Sequence, residues 1–521
     1  MIRRTLFLTL LSTLVVVEFV AAAPPDDTLQ LLSNKLEIWD VEAVWPQVTE
    51  ALSKYPQNPE LLEIAAHIAF YRGDYQESLD LIKRSAAGGG DDERRIGFTV
   101  FVEDTIRVLA PYRRYETEHF IILLDETRDG ILVDYLSDAL EKTYQVMAQR
   151  YGFEPREKVR VELFPDTQAF YFTSTLSVRD IEVTGAVGLA KFNKLQFLSP
   201  RALIHGYRWL DAISHEYMHY LIVKMTANNA PIWFHEGLAK YEETRWRDGP
   251  GYLSAQYQTL LAQAQSENKL IGFSQMEPSL VHLESPAEVQ LAYAQAASAV
   301  EFIISTAGYD GLKKIVDQMA WSHQKGAADS IRTVLGLEFS EFEKKWAAYL
   351  ADKALRVVPG ASIQRFKVKQ GSATDDRMEL QEIKSIVARN RAHLGDRLKA
   401  RGRMRAAVLE YRRALSETED SVPVMNRLAG ALIDLGRDEE ALDMLSRILA
   451  LAPDHPTPYL RLGQVRLKRQ EFTQAKAAFE ESLQINPFNP EVHIGLANTF
   501  ALLGDRLGSE KERQIVNRII R

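Results

Sequence analysis

Apolar positions along this chain change their spacing repeatedly, and each change predicts a different kind of element. From Thr28 to about Ala87 the spacing is helical, with Ala51 and Pro56 closing one unit and Ala66, Gly73, Ser78 and Ile82 at the small and apolar positions of the next. The run Gly88-Gly89-Gly90-Asp91-Asp92 then interrupts it, as a loop would. Between Glu116 and Ser199 the pattern shortens. Glu118–Leu124 reads as a buried strand, Ile131–Tyr151 as an amphipathic helix, Val159–Phe164 as a second strand and Thr167–Phe172 as a short helix. Gly185–Ala190 and Lys194–Leu198 then read as a hairpin turning near Phe192-Asn193. Strands and helices mixed in this way predict an α+β layer, whose last strand is a candidate edge for an extended peptide. Tyr207–Lys224 returns to helical spacing through Trp209, Leu210, Ile213, Leu221 and Ile222. Beyond Glu236 the chain reads as helical to about Ala354, with Ala292-Tyr293-Ala294-Gln295 opening a long helix through Ile304. Val357–Asp376, with Pro359-Gly360 and Gly371-Ser372, reads as a linker.

The remainder repeats with a period of 34 residues: small residues recur at Gly395, Ala429, Gly463 and Ala497. Gly402, Gly436 and Gly504 follow at a fixed offset, with Gln470 as the exception. Ala407, Ala441 and Ala475 occupy a tight inter-helix position, Tyr411, Leu445 and Phe479 a large apolar one, and Pro453 and Pro487 the closing turn. These positions resemble tetratricopeptide (TPR) repeats, as the N-terminal pattern also does. The resemblance implies three full units and a partial fourth stacked into a superhelix whose concave side binds protein partners.

Length, charge and cysteine content narrow the class. A chain of 521 residues exceeds one ordinary core, so roughly two to four domains are expected. A net charge of −8 of mixed sign argues against nucleic acid as a partner. The basic run Arg389, Arg391, Arg397, Lys399, Arg401, Arg403 and Arg405 reads as a solvated helix face. The N-terminus reads as an export signal: Arg3 and Arg4, the apolar run Leu6–Val17, then Ala21-Ala22-Ala23 with cleavage expected after Ala22. A periplasmic or secreted protein is therefore expected, touching a membrane only if that segment stays uncleaved. There is no cysteine, so core burial rather than disulfides must hold the fold, and no thiol serves as ligand or nucleophile.

The chemistry concentrates in His215-Glu216-Tyr217-Met218-His219. Four residues span about one helical turn, so His215 and His219 can aim two imidazoles at one point. Two neutral imidazoles suit zinc, and Glu216 is placed to take a proton from water at the metal. Together these make the HExxH pattern. A third ligand is available in Pro231-Ile232-Trp233-Phe234-His235-Glu236-Gly237-Leu238-Ala239-Lys240-Tyr241, where Glu236 completes a His2Glu set. His235 points elsewhere on its helix, Trp233 reads as core, and Asp211 lies one turn before His215, where it could orient a ligand.

These motifs resemble the gluzincin metallopeptidases, specifically the peptidase MA-like group, over about Glu116–Leu355. The resemblance implies a thermolysin-like (gluzincin) α+β domain flanked by all-α TPR superhelical regions. It implies a Zn2+ cofactor held by His215, His219 and Glu236, with Glu216 as general base and Tyr293 as a donor that steadies the oxyanion. Some relatives carry an acid four residues beyond the glutamate ligand; here that position is Lys240. The expected organisation is a signal peptide at 1–22, an N-terminal TPR-like region at 28–110, a metallopeptidase domain at 115–355, a linker at 356–385 and a C-terminal TPR array at 386–521. The expected function is an exported zinc peptidase acting on protein or peptide substrates, with the repeats recruiting substrate or partners. The alternative is an envelope scaffold whose peptidase-like domain has become a binding module.

Overall fold

The computed structural model describes residues 24–89, 92–176, 186–247, 249–320, 326–358, 361, 367–369 and 375–520. The expected export segment, residues 1–22, lies outside them. Among the described residues no helix is long and apolar enough to cross a membrane. The chain divides into two units. The first takes the described residues up to Leu36 and Asp40–Val102; the second takes Glu37–Trp39 and the chain from Glu103 on.

The first unit is helical, with helices Asp26–Glu37, Val41–Lys54, Pro59–Arg72 and Tyr75–Gly89. Asn58 caps the third of these by accepting from the Leu61 N–H, and Pro59 supplies a first-turn residue that needs no partner for its nitrogen. Ala66 and Ser78 are fully buried, and the Ser78 hydroxyl donates to the Ala66 carbonyl at 2.8 Å, which fixes the two helices face to face. The fourth of these runs through Gly88 and Gly89, where the sequence predicts a break, and helix Glu93–Leu109 follows it. Glycine costs a helix only about 1 kcal/mol relative to alanine, and the preceding turns carry it.

In the second unit five strands form one mixed sheet: β1 (Arg113–Glu116), β2 (Phe120–Leu124), β3 (Val159–Phe164), β4 (Gly188–Lys191) and β5 (Lys194–Leu198). Their order is β1-β2-β3-β5-β4, with β2, β3 and β5 parallel and the outer strands antiparallel to their neighbours. Phe192 and Asn193, at φ 56° and 58°, make the two-residue turn whose twist suits a hairpin. That turn folds β4 back to the outside. The strand just before the histidine helix, β5, is therefore internal, and the edge belongs to β4; this corrects the expected edge. Strand β1 escaped the sequence pattern because Arg113-Arg114-Tyr115-Glu116 is mostly exposed and does not alternate.

Helices Val133–Tyr151, Trp209–Thr226, Ile232–Glu242, Ala255–Ser266, Pro286–Ala320, Ala327–Leu335 and Phe339–Asp352 complete this part. The long helix opens at Pro286 rather than Ala292, because Ser285 accepts from the Glu288 N–H and caps it early. Gly308, at φ 68° and ψ −178°, breaks it. The repeats follow as helix pairs, Ile386–Ala400 with Met404–Leu415, Val422–Asp434 with Asp438–Leu451, Pro456–Lys468 with Phe472–Leu483, and Pro490–Leu503 with Arg506–Ile520, so the fourth is a complete pair and not the expected partial unit. Ala407, Ala441 and Ala475 have no exposed surface, as the repeat pattern requires. Gln470 takes the left-handed φ of 63° that Gly402, Gly436 and Gly504 adopt in the other repeats, so the exception is one of residue type and not of backbone.

The repeat array is docked onto the segment that enters the histidine helix. The Tyr207 and Trp209 amides donate to the Ile485 and Gln484 carbonyls at 3.0 and 3.1 Å, and the Trp209 indole donates to the Leu483 carbonyl at 3.2 Å. Arg208 reaches Asp454 and Glu481, each at 2.7 Å. The expected linker also makes contact: Val368 bridges Leu203, and Lys369 donates to the Ala202 carbonyl at 2.8 Å. Helix Asp375–Glu382 then leads into the repeats.

Candidate metal centre

The histidine helix, Trp209–Thr226, packs against β4, β5 and the helices Val133–Tyr151, Ile232–Glu242 and Pro286–Ala320. Its buried residues, from Trp209 to Thr226, run around most of its circumference, as expected of a helix enclosed on several sides. The glutamate helix, Ile232–Glu242, is anchored at its far end by Glu242. That carboxylate has no exposed surface and accepts from the Tyr151 hydroxyl at 2.9 Å and from Arg150. Near its middle, Gly237 lets it lie directly on the long helix: a Cβ there would stand 2.4 Å from the Ala296 carbonyl oxygen. These two features place Glu236 opposite the histidines and Tyr293 beside them.

His215 Nε2, His219 Nε2 and Glu236 Oε2 form a near-equilateral triangle, with sides of 3.1, 3.4 and 3.6 Å. Three corners of a tetrahedron around zinc, with bonds of about 2.0–2.2 Å, would stand about 3.4 Å apart. Glu236 Oε2 is buried with no hydrogen-bond partner among the described residues, as a ligand oxygen reserved for a cation would be. The donor set and its spacing fit a metal ion. Burial opposes charge on His215, but Glu236 and Glu243 outweigh it and hold the metal-free imidazole up to about 10. Burial would raise Glu236, and the two histidines reverse this and hold its carboxyl well below the usual range.

Glu216 lies between the helix and the edge strand. Burial raises its carboxyl above the ordinary range, while His219, His215 and the Ala190 amide of β4 act the other way. Gly188 makes room for it, since a Cβ there would come within 2.7 Å of Glu216 Cγ and 2.9 Å of the Phe197 ring. The Tyr293 ring centroid lies 6.5 Å from that of His215. Burial and the carboxylates of Glu236, Glu216 and Glu243 keep its hydroxyl protonated, so it remains a donor. All five residues singled out from the sequence therefore meet at one place.

The supporting residues differ from expectation. Asp211 does not reach a histidine. It is bound bidentately by Arg247 at 2.7 and 2.9 Å and accepts from the Trp246 indole, and Arg247 passes on to Glu481 of the repeats. The residue behind His215 is Glu243, whose Oε2 lies 3.4 Å from Nδ1. Glu243 stands about two helical turns beyond Glu236 and so on the same face, a spacing that could have revealed it. Lys240 pairs with the other oxygen of Glu243 at 2.7 Å and lies over the Tyr257 ring, so its charge is matched by Glu243. His235 is half-buried, its ring 5.6 Å from that of His219, and desolvation together with His219 pushes it down to about 3. Trp233 is core, in a cluster with Phe273, Phe339 and Phe342.

Comparison with known proteins gives two separate results. Residues 139–352 match the Peptidase MA superfamily model, and residues 398–464 and 456–489 match tetratricopeptide repeat models. Among curated proteins, the type IV pilus assembly protein PilF of Pseudomonas aeruginosa is 34% identical over 91 residues, which is 17% of this chain and 36% of that protein. The Hsp70-Hsp90 organising protein of Plasmodium falciparum is 26% identical over 104 residues, 20% of this chain and 41% of that protein. The Arabidopsis thaliana CTR9 homolog is 29% identical over 118 residues, 22% of this chain and 11% of that protein. The chain thus spans well under half the length of these relatives. Among solved structures, a thermophilic TPR protein of Thermus thermophilus is 26% identical, covering 25% of this chain and 74% of that one with a TM-score of 0.24. The chain carries a Peptidase MA superfamily domain followed by tetratricopeptide repeats.

Proposed function

We propose that this protein is an exported zinc-dependent peptidase, with His215, His219 and Glu236 as metal ligands, Glu216 as general base and the repeats recruiting protein substrates or partners. The observation that carries this reading is the triangle of three donor atoms with Glu216 and Tyr293 beside it. When bound there, zinc would polarise a scissile carbonyl and acidify water. The chain's own residues supply the rest. Glu216 accepts a proton from water and returns one to the leaving amine. Tyr293, kept protonated, donates to the oxygen on which charge develops. Glu243 orients His215 through Nδ1, the usual arrangement behind a ligating histidine. Strand β4, outermost in the sheet among the described residues and next to Glu216, is where an extended peptide would lie.

The scaffold alternative rests on Lys240 and on the repeats flanking the domain; the pairing of Lys240 with Glu243 speaks against the first, while the repeats are compatible with either reading. The test is Glu216→Gln in the full chain. Hydrolysis of an unfolded protein is expected to fall by about 10²–10⁴-fold with metal content unchanged. Cleavage equal to wild type, or a wild-type protein that takes up no zinc, would sink the proposal. The export expectation is checked separately, by N-terminal sequencing of protein recovered from outside the cytoplasm.

A further inference from the structure

A second group of two histidines and a glutamate lies where the repeat array meets the peptidase domain. His205 is in the loop entering the histidine helix, Glu379 is in helix Asp375–Glu382, and His455 immediately precedes helix Pro456–Lys468. One donor atom from each lies within 4.8 Å of the others. The His205 and His455 rings are 4.6 Å apart at 35°. We propose that His205, Glu379 and His455 form a second site for zinc or a similar divalent ion, one that clamps the repeats to the loop entering the first site.

Three observations carry this. First, His455 is only 5% exposed, yet neither ring nitrogen has a hydrogen-bond partner among the described residues; Glu379 Oε1 stands 3.5 Å from Nε2. A buried polar atom left in that state is costly, and a metal bond to one nitrogen relieves it. Second, the carboxylates are held as they are around bound metals. Arg427 donates to Glu379 Oε2 at 2.9 Å, which leaves Oε1 turned toward His455. Glu382 Oε1 lies 3.3 Å from His205 Nε2 and accepts from Lys367 at 2.9 Å, so a carboxylate backs one histidine. Third, the three segments are already pinned together by other bonds. Ile204 donates to the Lys367 carbonyl at 3.0 Å, Tyr207 donates to the Ile485 carbonyl at 3.0 Å, and Arg208 grips Asp454 beside His455. The ligands therefore lose little ordering entropy on binding.

The donor type selects the ion. Two imidazoles and one carboxylate suit zinc and its late transition-metal neighbours, whereas magnesium and calcium prefer oxygen. Positive charge lies nearby on Arg427, Lys367 and the buried Arg461; carboxylates engage the first two, and Glu379 offsets the third. The ligands come from three segments far apart in sequence, so an ion here would act on docking and not on hydrolysis.

The experiment loads metal-free full-length protein with excess Zn2+, removes free ion by gel filtration and counts bound metal by mass spectrometry. Wild type is expected to hold two equivalents and His215→Ala/His219→Ala one. His205→Asn/His455→Asn is expected to hold one, and the variant combining all four changes none. Glu379→Gln, which keeps the packing and the Arg427 contact, is expected to weaken the second equivalent at least tenfold, which guards against a histidine variant that fails to fold. In His215→Ala/His219→Ala, Zn2+ should raise the melting temperature and a chelator should reverse the rise. A single equivalent in wild type that His215→Ala/His219→Ala abolishes, with no effect of Glu379→Gln, would overturn the proposal. A single equivalent in wild type that His205→Asn/His455→Asn abolishes and His215→Ala/His219→Ala leaves in place would instead count against the first site, so the two readings fail separately.

Discussion

Two clusters of the same composition, His2Glu, stand in one unit of this molecule and are built in opposite ways. In the first, two ligands lie one turn apart on helix Trp209–Thr226 and the third comes from the next helix, Ile232–Glu242. In the second, each ligand comes from a different part of the chain: a peptidase loop, a short linker helix and a repeat. The first is backed by Glu243 and enclosed by the peptidase core; the second exists only while the repeats are docked. Local construction gives a site that folds with its domain and leaves one side free for chemistry. Construction from distant segments gives a site whose affinity reports on the packing between them.

The largest effect that separates the two is removal of the third ligand from the first. Glu236→Gln leaves the helix packing and the Gly237 contact intact but replaces the carboxylate whose Oε2 completes the triangle. It is expected to abolish hydrolysis and to remove one metal equivalent, measured by mass spectrometry. The equivalent assigned to His205, Glu379 and His455 should stay. If Glu236→Gln empties both sites, the clusters are coupled and the contrast between them fails.

The two clusters also differ in how far the sequence alone reveals them. The first is legible because helical periodicity converts a spacing of four into proximity, and because Glu236 follows in the next amphipathic segment. β3 and the hairpin turn at Phe192-Asn193 are legible for a similar reason: alternation and turn chemistry act over a few residues. What periodicity cannot show is which strand lies outermost, so β5 reads as the edge although β4 covers it. It also cannot show a charged edge strand such as β1. Asp211 lies one turn from His215 in sequence, but Arg247 and Trp246 reach it from another segment and turn it to the repeats. His205, Glu379 and His455 carry no signal at all, since no local spacing joins them.

A middle-sized effect tests what lies behind the first triangle. Glu243→Gln keeps the size of the side chain and removes the charge facing His215 Nδ1 at 3.4 Å. Zinc affinity is expected to fall by about 10–100-fold, the usual cost of losing a carboxylate behind a ligating histidine, with the second equivalent unchanged. Competition with a chromogenic chelator measures it. An unchanged affinity would mean that Glu243 serves Lys240 rather than His215.

The smallest effect should fall on the junction between the two clusters. Arg208 stands between His205 and the start of the histidine helix, and its guanidinium donates to Asp454, Glu481, the Pro453 carbonyl and the Tyr459 hydroxyl. Arg208→Ala removes these bonds while Arg247 still holds Glu481 at 2.8 Å and the Trp209 indole still holds the Leu483 carbonyl. With the docking only partly undone, a loss of about 1–2 kcal/mol is expected, seen as a fall of a few degrees in melting temperature. The first site, fixed from within the peptidase core, should keep its metal affinity and its activity on a short peptide. The second should weaken by about tenfold, because Asp454 and His455 share the turn that Arg208 holds, and about 1.4 kcal/mol is a tenfold change in an equilibrium. If the weakening falls equally on both, the histidine helix senses the repeats directly. The docking contacts at Tyr207 and Trp209 would then be a route by which a bound partner alters catalysis.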